Sequence, residues 1–210
     1  MIATRIQEKG ILAKLLEKAV RILLIKECKK IKIVKIDIIS KSIQIIKGEI
    51  EKINIIAEDV NYKNLLFNLV ELETNNLKIN YNLKNQELYF TDNPIINFKI
   101  SICQKSLKAI LLSKYWSWIG DIISKEILNQ EKLEDLKIRN GVLLMEASEK
   151  NISINKVEEI NIKADEGKVY LINKIANKTI QIPIEDKIYI KNINIENNLI
   201  NIFANSSINF

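Results

Sequence analysis

The spacing of apolar residues along the chain switches twice from a helical period to a strand period, and this double switch limits the folds open to the sequence. Across residues 4–30 apolar side chains recur every three or four positions, which is typical of one helix face. Across residues 31–102 they alternate with polar ones, as in strands with one buried face. The helical period returns over residues 104–129, and alternation resumes over residues 133–202.

The strands follow one another through short turns with no helix between them, so we predict antiparallel pairing. Asn140-Gly141 is the strongest of these turn signals. Thr4 and Gln7 fit a capping box at the start of the first helix. We therefore predict one α+β domain, residues 1–210, with helix-plus-strands halves at about 4–102 and 104–210. We expect a strongly curved antiparallel sheet of about ten strands, because long twisted sheets tend to curl, and a second helix mid-chain.

Composition excludes several classes of enzyme. The chain has no histidine, which rules out Ser-His-Asp and Cys-His catalysis and histidine-ligated metal sites. Its five glycines are too scattered for a phosphate-binding or dinucleotide-binding loop. Acidic pairs such as Glu158-Glu159 and Glu134-Asp135 stand beside lysines at strand ends, which favours a solvated surface position. We expect a protein without catalytic activity, metal or cofactor.

The charge pattern favours a solvated surface over a nucleic-acid interface. The formal net charge is +6, but lysine alternates with isoleucine along the predicted strands, and Glu and Asp are mixed in throughout. Nucleic-acid readers cluster arginine and aromatic residues on one face, whereas arginine occurs here only at Arg5, Arg21 and Arg139. A weak attraction to anionic membrane surfaces is compatible with this charge.

Neither the cysteines nor the N-terminal residues indicate export. Cys28 and Cys103 lack metal-site spacing, and we predict two buried free thiols. The charged residues Lys14, Glu17 and Lys18 interrupt the early apolar run, so neither a signal peptide nor a membrane span is predicted. We expect a location in the cytoplasm or at the periphery of a membrane.

The chain's one local concentration of aromatic residues is Tyr115-Trp116-Ser117-Trp118. On a continuous helix, Tyr115 and Trp118 fall on the inner face, and we predict that they pack in the core. Trp116 then points outward beside Lys114, where an indole ring suits a membrane interface or the rim of a groove. Trp116 is the candidate for membrane contact.

Several segments in a fixed order resemble one protein family. They are IIKGEIEKINIIAEDVNYKNLLFNLVELETNNLKI around Gly48, the helix opening SICQKSLKAIL, and the strands IRNGVLLMEA and IKADEGKVYLI with the Asp165-Glu166-Gly167-Lys168 turn. Together these features resemble the LmeA-like phospholipid-binding family over about residues 10–171. The resemblance implies a fold similar to tubular lipid-binding domains, whose curved sheet wraps a long helix and leaves an apolar groove for acyl chains. It also implies phospholipid as the partner and a role in membrane lipid homeostasis.

The residues themselves support the same expectation. A long sheet that is apolar on one face has more inner surface than two helices can fill, and surplus apolar interior is where a lipid can lie. Each buried CH₂ contributes about 0.8 kcal/mol. The candidate lining residues come from both helices and the inner strand faces: Leu15, Leu16, Val20, Leu23, Ile55, Phe67, Ile79, Phe98, Leu111, Tyr115 and Ile122.

Two other functions stay open at the level of sequence. A structural or adaptor protein would have a filled core and would recruit a partner chain through an edge strand or Trp116. A hydrolase with two facing carboxylates ranks behind both binding functions. The sequence leaves the lipid and the oligomeric state open.

Overall fold

The computed structural model describes residues 10–82, 87–148 and 156–207. The first half runs in the order α1 (Ile11–Glu27), β1 (Ile33–Ile39), α2 (Ser42–Ile46), β2 (Glu49–Tyr62), β3 (Leu65–Asn82), β4 (Glu87–Phe90) and β5 (Ile95–Cys103). The predicted α+β class with antiparallel pairing is confirmed. The predicted start of the first helix at Thr4 lies outside the described residues, and α1 ends at Glu27 rather than Lys30.

The second half begins with a broken helix and continues as strands. Its elements are α3 (Gln104–Leu111), α4 (Ser117–Ile122), a π-helical segment (Ile123–Leu128), β6 (Lys132–Arg139), β7 (Val142–Ser148), β8 (Lys156–Asp165), β9 (Lys168–Asn173), β10 (Lys178–Ile182), β11 (Ile188–Glu196) and β12 (Leu199–Ser207). The prediction of one helix over residues 104–129 is wrong, because residues 112–116 form a turn. The Ser113 hydroxyl donates to the Ile110 carbonyl at 2.8 Å and accepts from the Trp116 amide at 3.2 Å.

The described strands form two antiparallel sheets, not the single sheet predicted. The large sheet has the order β1-β2-β3-β5-β12-β11, with β4 also paired to β3, and the small sheet has the order β10-β9-β8-β7-β6. The last two strands join the large sheet, because β12 pairs with β5 from Leu199 opposite Cys103 to Ser207 opposite Ile95. Strands of the second half of the chain are therefore divided between both sheets.

One face of the large sheet carries two hydrophobic clusters formed by the described residues. A row of paired inward side chains crosses this face: Ile36, Ile55, Leu72, Phe98, Ala204 and Ile190. The cluster at the β1–β3 end includes the residues facing α1, and the cluster at the β11–β12 end includes residues of the small sheet, α3 and the π-helical segment. We call the cluster at the β1–β3 end the helix-side cluster and the cluster at the β11–β12 end the inter-sheet cluster.

α1 packs on the sheet through a stripe three or four residues apart. Ala13 is buried, and Leu16, Val20 and Leu24 pack against the helix-side cluster. The Glu17 Oε1 accepts a hydrogen bond from the Ile38 amide at 3.0 Å, which ties the helix to strand β1. The periodicity therefore predicted a helix correctly in this region.

Left-handed backbone at two positions lets the long β2–β3 hairpin keep apolar side chains inward along its whole length. Asp59 has φ of 50° and Asn76 has φ of 53°. Across these residues the buried positions are three apart, Ala57 with Val60 and Thr74 with Leu77, rather than two. A left-handed residue within a strand changes the direction in which the following side chains point and increases the twist of the strand.

Candidate functional site

An apolar cavity of about 220 Å³ lies between the two sheets, under α3 and α4. Every side chain that lines it is aliphatic, phenyl or thioether. The lining residues are Leu65, Phe67, Ile102, Leu107, Ile110, Leu111, Ile119, Ile123, Leu143, Met145, Ile162, Val169, Leu171, Ile182, Ile184, Ile193, Ile200 and Ile202. They come from both sheets, from the helices between β5 and β6, and from the connection after β10.

The size and lining of this cavity together decide what it can hold. A cavity of about 150 Å³ lined by Leu, Ile and Phe stays free of water and binds small apolar molecules. The cavity here is larger, at about 220 Å³, and offers no polar side chain to a water molecule. Its chemistry therefore matches an apolar ligand such as part of an acyl chain.

Half-buried residues mark where the cavity comes nearest to solvent. Leu65 and Phe67 at the start of β3 keep partial exposure, as do Ile182 and Ile184 around the end of β10. Ile119 of α4 is also half-buried. The deeper wall, including Leu143 and Met145 on β7, is almost fully buried.

The structure places two of the predicted lining residues, Phe67 and Leu111, in the cavity wall. Phe67 also packs against the helix-side cluster, so its ring lies between that cluster and the cavity. The other half-buried candidates lie elsewhere. Four of them, Leu16, Val20, Ile55 and Ile79, pack only in the helix-side cluster; Phe98 packs against the inter-sheet cluster, and Ile122 is half-buried outside the lining.

Leu15, Leu23 and Tyr115 do not line the cavity, contrary to the prediction. Leu15 and Leu23 are 58% and 60% exposed, because the inward stripe of α1 runs through other positions. The helix also carries apolar residues on its outer side, so periodicity alone could not select the stripe. Tyr115 is 65% exposed because it lies in the turn that separates α3 from α4.

The aromatic cluster is oriented opposite to the prediction. Trp116 is half-buried, and its indole N–H donates to the Lys63 carbonyl oxygen at 3.1 Å. Trp118, predicted to pack in the core, is 42% exposed, and its ring centroid is 6.3 Å from that of Trp116. The break in the helix changes its phase, so the side chains predicted to face inward face solvent.

Sequence reasoning missed most of the lining residues. Alternation identified the apolar face of strands such as β7 and β9, where Leu143, Met145, Val169 and Leu171 are buried. Alternation does not indicate which apolar strand face of one sheet packs against which face of the other. That depends on β12 pairing with β5, and these strands are about a hundred residues apart in the chain, as the Ser101–Asn201 pair shows.

α3, which covers the cavity, is held to β6 by two polar contacts. Lys108 Nζ lies 2.7 Å from Asp135 Oδ1, and Gln104 Oε1 accepts from the Ile138 amide at 2.8 Å. The hydrogen bond from Lys108 lowers the pKa of the Asp135 carboxyl below its ordinary value. The ionised carboxylate is therefore part of the attachment of α3.

This pKa shift predicts that the attachment of α3 to β6 weakens in acid. A carboxyl whose pKa is lowered by folding stabilises the protein above its ordinary pKa, and that contribution is lost as pH falls through the folded value, below about pH 4. We expect Lys108→Met to be less stable than the wild type at neutral pH and to lose less stability in this acidic range. Urea unfolding over a pH series, with Lys105→Met on the same helix as control, measures this. Parallel curves for Lys108→Met and wild type would contradict it.

The opposite face of the large sheet carries an open groove of about 610 Å³, lined by charged, amide and apolar side chains. Its charged groups are paired with one another: Lys99 Nζ lies 3.3 Å from Glu71 Oε1, and Lys52 Nζ lies 2.6 Å from Glu73 Oε2. Lys191 Nζ donates to Asn97 Oδ1 at 2.7 Å. This face is a solvated sheet surface, so the apolar cavity is the stronger candidate for a binding site.

The prediction of a solvated position is wrong for Glu158. Its side chain is buried, and it accepts a hydrogen bond from the amide of the fully buried Asn173. Asn173 Oδ1 also accepts from the Ala176 amide at 3.0 Å, so the pair stabilises the end of β9. Cys28 and Cys103 are free, as predicted, but they are half-buried rather than buried.

Comparisons with known proteins give no family assignment: no family model, curated protein or solved structure matches the chain. Over the described ranges, no group of three or more Cys, Asp or Glu side chains could hold a metal ion. None of the helices in that part of the chain combines the length and the apolar character needed to cross a bilayer.

Proposed function

We propose that this protein binds phospholipid without catalysis, holding acyl-chain carbons in the cavity between its sheets. The observation that carries the proposal is the apolar lining of that cavity, whose volume is about 220 Å³. Burial of acyl carbons contributes about 0.8 kcal/mol per CH₂, so binding needs no specific polar contact inside. The resemblance to the LmeA-like family implies the same ligand.

In this proposal the large sheet curls around α1, as in tubular lipid-binding domains, and the protein works at the periphery of a membrane. Two aromatic side chains beside the cavity-covering helices are exposed, Tyr115 in the turn and Trp118 on α4. They replace Trp116 as the aromatic residues available for membrane contact, since the Trp116 indole N–H is already bonded to Lys63. A role in membrane lipid homeostasis follows if the bound lipid exchanges with a bilayer.

The direct test is analysis of what the purified protein carries and takes up. We expect native mass spectrometry to find co-purifying lipid and a fluorescent phospholipid to bind with a saturable signal. Protein that carries no lipid from several hosts and takes up no labelled phospholipid would overturn the proposal.

A side chain that fills part of the cavity should reduce this uptake. Ile119 of α4 is half-buried and lines the cavity, so a phenylalanine there occupies space the acyl chain needs. We expect Ile119→Phe to reduce phospholipid uptake at least about tenfold, the equivalent of two lost CH₂ contacts. Leu24→Phe is the control, because Leu24 is also half-buried on a helix but packs in the helix-side cluster. Equal uptake by the two variants would place the ligand elsewhere.

A partner-binding module is the second candidate, because Leu112, Tyr115 and Trp118 each expose apolar or aromatic surface within seven residues of the chain. This function needs no occupied cavity. A protein that takes up no lipid but loses a protein partner on Tyr115→Ser would favour it.

A further inference from the structure

α1 carries a second apolar face, turned away from the sheet. Ile11, Leu15, Ile22 and Ile25 are each more than half exposed. Their spacings of four, seven and three residues put them on one side of the helix, opposite the buried stripe that contains Ala13. Among the described residues, nothing covers the outer side of this helix, which is apolar on both sides. We call the outer side the docking face.

The charges around the docking face have one sign. Lys14, Lys18 and Lys26 are exposed, and Lys18 and Lys26 lie one turn on either side of Ile22. Arg21 is exposed as well.

The two acidic residues within α1 lie on the side of the helix opposite the docking face. Glu17 accepts a hydrogen bond from the Ile38 amide of β1 at 3.0 Å. Glu27 follows Val20 by seven positions, which places it on the side of the buried stripe. The outward side of the helix is therefore both apolar and positively charged.

The short helix α2 contacts α1 and adds to the same pattern. Ile43 and Ile46 are exposed, and Lys41 and Lys47 bound the helix on either side. Exposed isoleucines flanked by lysines thus occur on both helices at this end of the large sheet.

We propose that the docking face of α1 binds the surface of an anionic bilayer. A helix with apolar residues flanked by lysines lies in the interface plane, with its apolar side chains among the acyl chains and its lysines at anionic headgroups. The charge pattern argues against a second copy of this chain as occupant, because a symmetric dimer would bring two lysine-rich faces together. This inference goes beyond acyl-chain binding, since docking requires no occupied cavity.

Vesicle binding tests the proposal. We expect the protein to co-sediment with vesicles of phosphatidylcholine and phosphatidylserine, more weakly with pure phosphatidylcholine vesicles, and less at high salt. Lys14→Gln/Lys18→Gln should weaken binding to the anionic vesicles about thirtyfold, the equivalent of about 1 kcal/mol per lysine. The control Lys105→Gln/Lys125→Gln removes the same charge from exposed helical positions elsewhere and should bind nearly as wild type does.

The apolar part of the face has its own variant. Leu15→Ser/Ile22→Ser should weaken binding to both kinds of vesicle while its thermal unfolding stays close to wild type, because both side chains are exposed. Ile119→Phe should bind vesicles as wild type does, which separates docking from occupancy of the cavity. Three results would overturn the proposal. They are wild-type binding that does not depend on phosphatidylserine, equal losses of binding in the two lysine variants, and a dimer in solution that dissociates in Leu15→Ser/Ile22→Ser.

Discussion

Gly48→Ala should lower the free energy of unfolding by about 2–4 kcal/mol, because the substitution combines backbone strain with a clash against backbone. Gly48 has φ of +77°, and a Cβ there would lie 1.9 Å from the carbonyl oxygen of Ile79. The Gly48 carbonyl accepts from the Ile79 amide at 2.7 Å, so the clash cannot be relieved without loss of this hydrogen bond. Urea unfolding followed by circular dichroism measures the loss.

Gly141→Ala is a matched control, because it isolates the strain. Gly141 also has φ of +77°, but the nearest atom to its Cβ position is the Ile195 carbonyl oxygen at 3.9 Å, an ordinary contact distance. We expect this variant to cost only about 1 kcal/mol. Equal losses of unfolding free energy in the two variants would show that β3 moves freely away from Gly48. The close approach of Ile79 would then contribute nothing to the destabilisation.

These two glycines illustrate what the sequence can predict. Asn140-Gly141 was predicted as a turn and does join β6 to β7, and Gly48 lies in the turn between α2 and β2. No local pattern distinguishes a glycine that faces open space from one in contact with a strand about thirty residues away in the chain. That difference arises only when β3 pairs with β2 and Ile79 comes to lie against Gly48.

The same distinction holds for the fold as a whole. Periodicity predicted the amphipathic helix and the alternating strands, because each depends on residues within a few positions of one another. The division into two sheets depends on contacts such as Ser101 Oγ donating to Asn201 Oδ1 at 2.7 Å, which no local pattern encodes. The break at Ser113 was missed because a serine that bonds backbone at 110 and 116 looks, in sequence, like an exposed helix residue.

The candidate site was predictable in its chemistry rather than in its residues. The surplus of apolar residues on alternating strands predicted an apolar interior with space for a ligand, and the cavity between the sheets fits this expectation. Phe67 and Leu111 do line the cavity, whereas Leu15 and Leu23 were chosen from a helix that is apolar on both sides. For such a helix only the partner surface decides which side is buried.

Leu143→Ala should destabilise the protein by about 2–5 kcal/mol and, unlike other core truncations, should be partly rescued by lipid. Leu143 is 2% exposed and forms part of the cavity wall, so its removal enlarges a space that already exists. In the presence of saturating short-chain phosphatidylcholine, the enlarged cavity accepts more acyl carbons, each contributing about 0.8 kcal/mol. Thermal unfolding with and without the lipid measures the rescue.

Leu136→Ala separates this rescue from a general effect of lipid. Leu136 is 1% exposed in the same inter-sheet cluster, on the strand next to β7, but does not line the cavity. Its truncation should also cost about 2–5 kcal/mol, and lipid should stabilise this variant only as much as it stabilises the wild type. Because both variants lose the same side-chain atoms from the same cluster, a larger lipid-induced gain in Leu143→Ala locates the acyl chain beside Leu143. Equal gains would mean that the lipid binds outside this cavity.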